Sequence, residues 1–177
     1  MRAFAAELCR FASTAGDEAA AADFVEDGLD ELGFQTHVWD ADSEILVDHP
    51  SFPADLDESD VAGRKSVGGV LELGGAGDTD TAGETPTVVL NGHIDVVPAE
   101  ADSWSGDPFE PVWGEADGDG EGEALTARGA ADMKSGVAAC VGAALDVRAA
   151  VEAGEFDLSS GGLRVVVEAV AGEEGGG

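Results

Sequence analysis

A short apolar run at residues 88–90, Val-Val-Leu, constrains the fold of this chain more than any other stretch. A strand with one face in water alternates apolar and polar residues, so an unbroken run predicts a strand that is covered on both faces. The run leads into His93 and Asp95, whose side chains point the same way in extended backbone and can lie side by side. A neighbouring carboxylate fixes the tautomer of a metal-ligating imidazole and raises its basicity. Taken alone, however, the pair is better explained as a surface turn after a strand.

The order of the later patterns predicts an α/β fold. Residues 135–153 are almost wholly apolar until Arg148, which predicts a helix whose first four turns lie against a sheet. Residues 163–170, Leu-Arg-Val-Val-Val-Glu-Ala-Val, predict another strand. Strand, helix and strand in this order imply right-handed crossovers and a mostly parallel sheet. In such a sheet, ligands bind at the carboxyl ends of the strands.

Periodic apolar residues predict two helices and two more strands in the first half of the chain. These are helices over residues 2–12 and 17–32 and strands over residues 34–39 and 66–73. Ser13 or Thr14 begins the turn between the two helices, and we interpret this segment mostly as a helix cap. The stretches without periodicity are predicted to be an irregular segment at 40–65, a surface connector at 74–86 and a hairpin turn at 117–123.

Acidic residues stand at the ends of the later core elements. Asp132 precedes the apolar helix, where the partial positive charge of a helix N-terminus favours an ionised carboxylate. Glu173 and Glu174 follow the last strand. Because neighbouring side chains on a strand point to opposite sides, we expect the two acids to have different roles. An imidazole and carboxylates at the ends of core elements suit a divalent metal. Taken alone, the two glutamates would form a solvated acidic turn.

Together these motifs resemble the M20 family of metallopeptidases and deacylases. The family includes acetylornithine deacetylase, succinyl-diaminopimelate desuccinylase, aminoacylase and glutamate carboxypeptidase. The matching stretches occur in the family's order, at residues 87–98, 128–136 and 171–174. The opening segment matches at Ser13, Thr14, Gly16 and Glu18, whereas Ser135 stands where glycine is usual. The resemblance implies a zinc-peptidase-like α/β fold, a three-layer sandwich around the central sheet.

The resemblance also implies a role for each of the five candidate site residues. Asp132 would bridge two zinc ions, with cobalt as another suitable metal, while His93 binds one ion and Glu174 the other. Asp95 would orient His93. Glu173 would be the general base that takes a proton from the bridging water and passes it to the departing amine.

The implied substrates are N-acyl amino acids or small peptides. The reaction is hydrolysis of an amide next to a carboxylate, and we favour a deacylase over a carboxypeptidase or dipeptidase. Residues 1–177 would form the N-terminal portion of the catalytic domain. The family's lid and dimerisation domain, a further acidic ligand and a late histidine are absent from this sequence. We therefore expect an incomplete domain that is inactive alone and dimerises only through the missing lid. The alternatives are a non-catalytic remnant and an acidic interaction domain.

The charge of the chain restricts its partners and its surroundings. Asp and Glu number 38 against 8 Lys and Arg, a formal net charge of -30, which excludes binding to nucleic acid phosphates. A chain without a long apolar stretch or a leader sequence is expected in the cytoplasm, away from membranes. Self-repulsion destabilises such a compact chain at low ionic strength, whereas molar salt shortens the Debye length to about 3 Å. We therefore expect adaptation to a salty cytosol.

A melting series in increasing salt tests this expectation. The melting temperature should rise from low to molar salt, because screening removes repulsion that opposes the folded state. A melting temperature that stays flat or falls as salt increases would contradict it.

Overall fold

The computed structural model describes residues 1–50, 52, 54, 56–74, 85–116, 122–158 and 161–174. Its helices are α1 (Arg2–Cys9), α2 (Ala19–Glu31), α3 (Ser43–Leu46), α4 (Glu58–Val61) and α5 (Ser135–Glu152). Its strands are β1 (Gln35–Asp40), β2 (Lys65–Gly74), β3 (Thr87–His93), β4 (Val112–Glu115), β5 (Glu123–Thr126) and β6 (Gly162–Val170). The predicted helices and strands are confirmed, with ends that shift by a few residues. The predicted irregular segment contains α3 and α4, each a single turn.

The central sheet has four strands in the order β1-β2-β6-β3. Only β3 and β6 are parallel among these described strands, since β2 is antiparallel to both β1 and β6. The prediction of a mostly parallel sheet is therefore wrong for this part of the chain. A parallel neighbour needs a long crossover. In the described residues α5 supplies one between β3 and β6, whereas only two single-turn helices separate β1 from β2.

One face of this sheet carries the hydrophobic core. Alternate residues of β2 and β6, such as Val67, Leu71, Val165 and Val167, are buried against α1, α2 and α5. The opposite face is polar in part, with Arg164 Nε donating to Glu72 Oε1 at 2.6 Å. In the described residues the longer helices thus form one layer on one side of the sheet. The α/β class is confirmed, while the three-layer sandwich is not.

Strand β3 lies at an edge of the described sheet. Val88 is 46% exposed and Val89 is 52% exposed, so the prediction of a strand covered on both faces is wrong for the described residues. An apolar run indicates side chains whose burial is favourable, but it does not indicate which helix or strand covers them. Among the described strands, β3 pairs with β6 alone, and side chains on both of its faces are exposed.

The helix-cap interpretation of the segment after α1 is also wrong. Glu18 is the N-cap residue of α2 and makes no side-chain capping bond. Ser13 is five positions away from that cap and is fully buried. A buried serine hydroxyl requires a hydrogen-bond partner, and that partner lies outside the helix.

Several smaller predictions can be compared with the structure. Strands β4 and β5 form the expected antiparallel hairpin. The turn predicted at 117–123 and the connector predicted at 74–86 lie mostly outside the described residues. Cys9 and Cys140 are free thiols. Among the described residues, none of the helices has the length and apolar character that crossing a membrane requires.

Candidate metal centre

The parallel pairing of β3 with β6 creates the site. His93, the last residue of β3, lies opposite Val170, the last residue of β6. The chain therefore leaves both strands at the same end of the sheet. In α/β folds, ligands bind at these carboxyl ends of the strands. The segment that enters α5 returns to this end, so three distant stretches of sequence meet there.

The contacts of His93 determine the tautomer of its imidazole ring. The side chain is almost completely buried, and Nδ1 lies 3.0 Å from the backbone oxygen of Asp95. Because a carbonyl oxygen can only accept a hydrogen bond, Nδ1 carries a proton. The lone pair of a neutral ring is then on Nε2, which faces the acidic residues of the site.

Asp95 connects two of the loops that form the site. Its side chain is fully buried, with Oδ1 lying 3.5 Å from His93 Nδ1. The second oxygen, Oδ2, accepts a hydrogen bond from the backbone nitrogen of Glu174 at 2.7 Å. One carboxylate thus touches the imidazole at the end of β3 and the turn after β6. Oδ1 has no hydrogen-bond partner within the described part of the chain, so its contact with the ring is electrostatic.

Asp132 reaches the imidazole from a kinked segment before α5. Gly129 turns the chain with a φ of 77°, and Asp132 itself has extended backbone (φ -129°, ψ 103°). Its Oδ1 lies 3.0 Å from His93 Nε2, although 79% of the side chain is exposed. The prediction that Asp132 precedes the helix is confirmed, since α5 begins at Ser135.

Glu173 and Glu174 converge on the same imidazole. Glu173 Oε2 lies 3.7 Å from His93 Nε2. One ligand atom from each of His93, Glu173 and Glu174 lies within 4.8 Å of the other two. The prediction that the two acids point to opposite sides is therefore wrong. Strand β6 ends at Val170 and Gly172 has a φ of +93°, so strand alternation no longer applies.

The electrostatics of His93 reflect these neighbours. Burial lowers the pKa of His93, but the hydrogen bond to Asp132 and the negative charges of Asp95 and Glu173 outweigh it, and the net shift is upward. The carboxylates thus favour a positive charge at Nε2. A proton supplies that charge in the metal-free ring, and a divalent cation competes for the same lone pair.

Lys134 lies within the stretch at residues 128–136 that matches the family pattern, and it has a role of its own. The side chain is fully buried, and its Nζ donates to the backbone oxygen of Phe11 at 2.6 Å. Burial lowers the pKa of Lys134 to about 8, against the opposing effects of Cys9 and Asp95. The lysine joins the segment before α5 to the chain just after α1. The sequence does indicate a role for this residue, because a lysine at the start of an apolar helix is unusual. It does not indicate the partner, Phe11, which is distant in sequence.

The donor set fits a divalent metal. Two ligands that each lie 2.0–2.1 Å from a tetrahedral zinc are about 3.3 Å apart. The distance from His93 Nε2 to Asp132 Oδ1, 3.0 Å, is close to that value. One imidazole and several carboxylates also match the ligands of zinc and similar ions.

The comparison with protein families identifies the chain. Residues 89–177 match the model of Peptidase family M20/M25/M40. The chain belongs to this family. The matched region contains all five predicted site residues, and the resemblance inferred from sequence motifs is thereby confirmed.

Relatives in this family share part of the sequence. The chain is 48% identical over 66 residues to a succinyl-diaminopimelate desuccinylase of a Nitratiruptor species, and 52% identical over 66 residues to that of Bordetella petrii. Each alignment covers 37% of this chain and 16% of the relative. The aligned part is thus less than a fifth of these relatives' length.

Two solved structures share the fold. Human carnosine dipeptidase 1 has a TM-score of 0.50 and 24% identity, over 92% of this chain and 30% of the dipeptidase. Aminoacylhistidine dipeptidase from Vibrio alginolyticus has a TM-score of 0.50 and 20% identity, over 97% of this chain and 27% of that protein. At this level of identity the likeness concerns the fold alone.

Replacing the buried carboxylate should weaken metal binding. Asp95→Asn keeps the size of the side chain but removes the charge next to His93 Nδ1. Loss of such a supporting carboxylate typically lowers metal affinity by roughly 10–100-fold. The affinity for Co²⁺, followed by its visible absorption, measures the effect. Asp30→Asn removes the same charge from an exposed position on α2 and should leave the affinity unchanged. Equal affinity in both variants would contradict a supporting role for Asp95.

Proposed function

We propose that this chain provides the metal-binding part of an amidohydrolase that removes the acyl group from N-acyl amino acids. The observation that carries the proposal is the convergence of His93, Glu173 and Glu174 ligand atoms within 4.8 Å, with Asp132 on the same imidazole nitrogen. Membership of the M20 family supports a hydrolase, and its desuccinylase relatives support the acyl substrate.

The proposed ligand assignment uses three residues for two ions and keeps Glu173 for proton transfer. His93 and Asp132 would hold the first ion, and Asp132 and Glu174 the second. When bound, a pair of zinc ions polarises a carbonyl and lowers the pKa of a shared water toward neutrality. Catalytic zinc normally has three protein ligands, so these residues leave ligand positions for other parts of the protein. We therefore propose that the described residues form an incomplete centre.

The two glutamates differ in a way that supports separate roles. The backbone nitrogen of Glu174 is fixed by Asp95, which suits a residue that must hold an ion in place. Glu173 has a side chain that is 61% exposed, so it is open to an arriving substrate. In this proposal Glu173 accepts the proton of the attacking water at its carboxylate and donates it to the amide nitrogen as the amine leaves.

A dipeptidase or carboxypeptidase is the second candidate. The two structural neighbours are named as dipeptidases, and the same acid and metal ligands would serve a peptide bond. We favour the deacylase because the sequence relatives with 48% and 52% identity are named as desuccinylases. A non-catalytic acidic domain would bind neither metal nor substrate. The cytoplasmic location and the salt adaptation of the chain stay predictions from composition.

A pair of isosteric variants tests the proposal in the longest polypeptide that the gene encodes. Glu173→Gln should lower kcat by roughly 10²–10⁴-fold for N-succinyl-diaminopimelate or N-acetyl-ornithine, because the amide cannot accept the proton. Its metal content should not change. Glu174→Gln should instead lower the metal content, measured by elemental analysis of the purified protein.

The outcomes separate the candidate functions. Hydrolysis of dipeptides but not of acyl amino acids would favour the dipeptidase. Protein that carries no metal and hydrolyses neither class would contradict a hydrolase. Reversed effects of the two glutamine variants would contradict the assigned roles.

A further inference from the structure

Ser13 holds the loop that carries Asp95. Its hydroxyl donates a hydrogen bond to the backbone oxygen of Ile94 at 2.6 Å. Its own backbone oxygen accepts a hydrogen bond from the nitrogen of Val96 at 2.9 Å. These two bonds lie on either side of Asp95, and Ser13 is fully buried. One residue outside the ligand set therefore fixes the backbone on both sides of the buried carboxylate.

Glu18 and Arg64 lie beneath the turn that carries the two glutamates. Both side chains are buried, with Arg64 Nε 3.8 Å from Glu18 Oε1. Arg64 Nη1 is 2.9 Å from the position that a Cβ on Gly172 would occupy. The guanidinium therefore packs directly against Gly172, the residue before Glu173. A side chain at position 172 would displace it.

The buried ion pair is poorly explained by stability. Arg64 Nε and Glu18 Oε1 are both buried without a hydrogen-bond partner among the described residues. Buried charges in imperfect geometry regain little of their desolvation penalty, and apolar residues of similar size often serve stability as well. What the pair does provide is a positive charge, on Arg64, against the acidic turn that contains Gly172.

We propose that residues 13–18, together with Arg64, form a positioning element for the metal centre. Ser13 sets the Asp95 loop, while Glu18 sets Arg64 and through it the turn at Gly172. Both contacts originate from one short segment between α1 and α2, so the segment fixes the separation of the two loops. The inference rests on the proposed metal centre. Ser13, Glu18 and Arg64 are positioning residues, since they act on the loops that carry the ligands and through no ligand atom.

Two variants and a control test this element in the longest polypeptide that the gene encodes, the same protein in which the proposed function is tested. Ser13→Ala removes the hydroxyl, and Arg64→Lys keeps the charge but loses the planar guanidinium. Val25→Ala, in the core on α2, is the control for a general loss of stability. The readouts are amide hydrogen exchange in metal-free protein, Co²⁺ affinity with its absorption spectrum, and the melting temperature.

Each variant is expected to change amide hydrogen exchange in one loop only. Ser13→Ala should speed exchange by at least roughly 10-fold at residues 93–97, and Arg64→Lys should do so at residues 171–174, because amides in opened loops lose protection. Each variant should weaken Co²⁺ binding by roughly 10–100-fold and change the absorption spectrum. Val25→Ala should lower the melting temperature without either effect.

The inference and the proposed function fail in different ways. If all three variants change exchange and Co²⁺ affinity only in proportion to their melting temperatures, the segment is merely structural and the inference is overturned. If the parent chain binds no Co²⁺, the proposed metal centre is overturned. Hydrogen exchange alone then tests whether Ser13 and Arg64 position the two loops. Changes confined to the expected loop would support the inference, and uniform changes would overturn it.

Discussion

The arrangement of the site depends on the buried carboxylate of Asp95. Taking a charged group out of water is unfavourable unless it is paired and hydrogen-bonded. Asp95 Oδ2 meets this condition by accepting a hydrogen bond from Glu174 N at 2.7 Å, whereas Oδ1 has no hydrogen-bond partner among the described residues and lies 3.5 Å from His93 Nδ1. The acidic turn cannot move away without leaving both carboxylate oxygens unsatisfied. The imidazole and the acidic turn therefore meet at one carboxylate that is itself inaccessible to solvent.

Around this anchor the site gathers groups that repel one another. Asp132 and Glu173 both approach His93 Nε2, and the net charge of the whole chain is -30. In metal-free protein these carboxylates favour protonation of the imidazole, which together with the exposure of the two acids to water limits the repulsion. A divalent cation would neutralise the carboxylates more completely. This explains why an acidic cluster at the end of a parallel strand pair fits a metal site better than a solvated turn.

The sequence predicted the parts of the structure that depend on local pattern. The apolar helix α5 between two β-branched strands correctly predicted the parallel pair β3 and β6, and motif spacing selected residues that lie together at its edge. Tertiary pairing was not predictable in the same way. The antiparallel placement of β2 and the exposure of Val88 depend on which strands lie alongside, which an apolar run does not encode.

Two features of the site were hidden for a different reason. The convergence of Glu173 and Glu174 depends on a glycine with positive φ, Gly172, which interrupts the strand pattern before the two acids. Ser13 looked like a helix cap because serine in a turn commonly is one. Its actual partners, Ile94 and Val96, lie in a distant part of the sequence. Long-range hydrogen bonds of single polar residues leave no periodic signal.

The most direct test of a binuclear centre is the anomalous scattering of zinc in crystals of the metal-loaded protein. Two zinc peaks are expected about 3.5–4 Å apart, at the end of the sheet where β3 and β6 finish. One peak should lie within coordination distance of His93 Nε2, with Asp132 between the two. Zinc bound elsewhere on the acidic surface, with none beside His93, would contradict it.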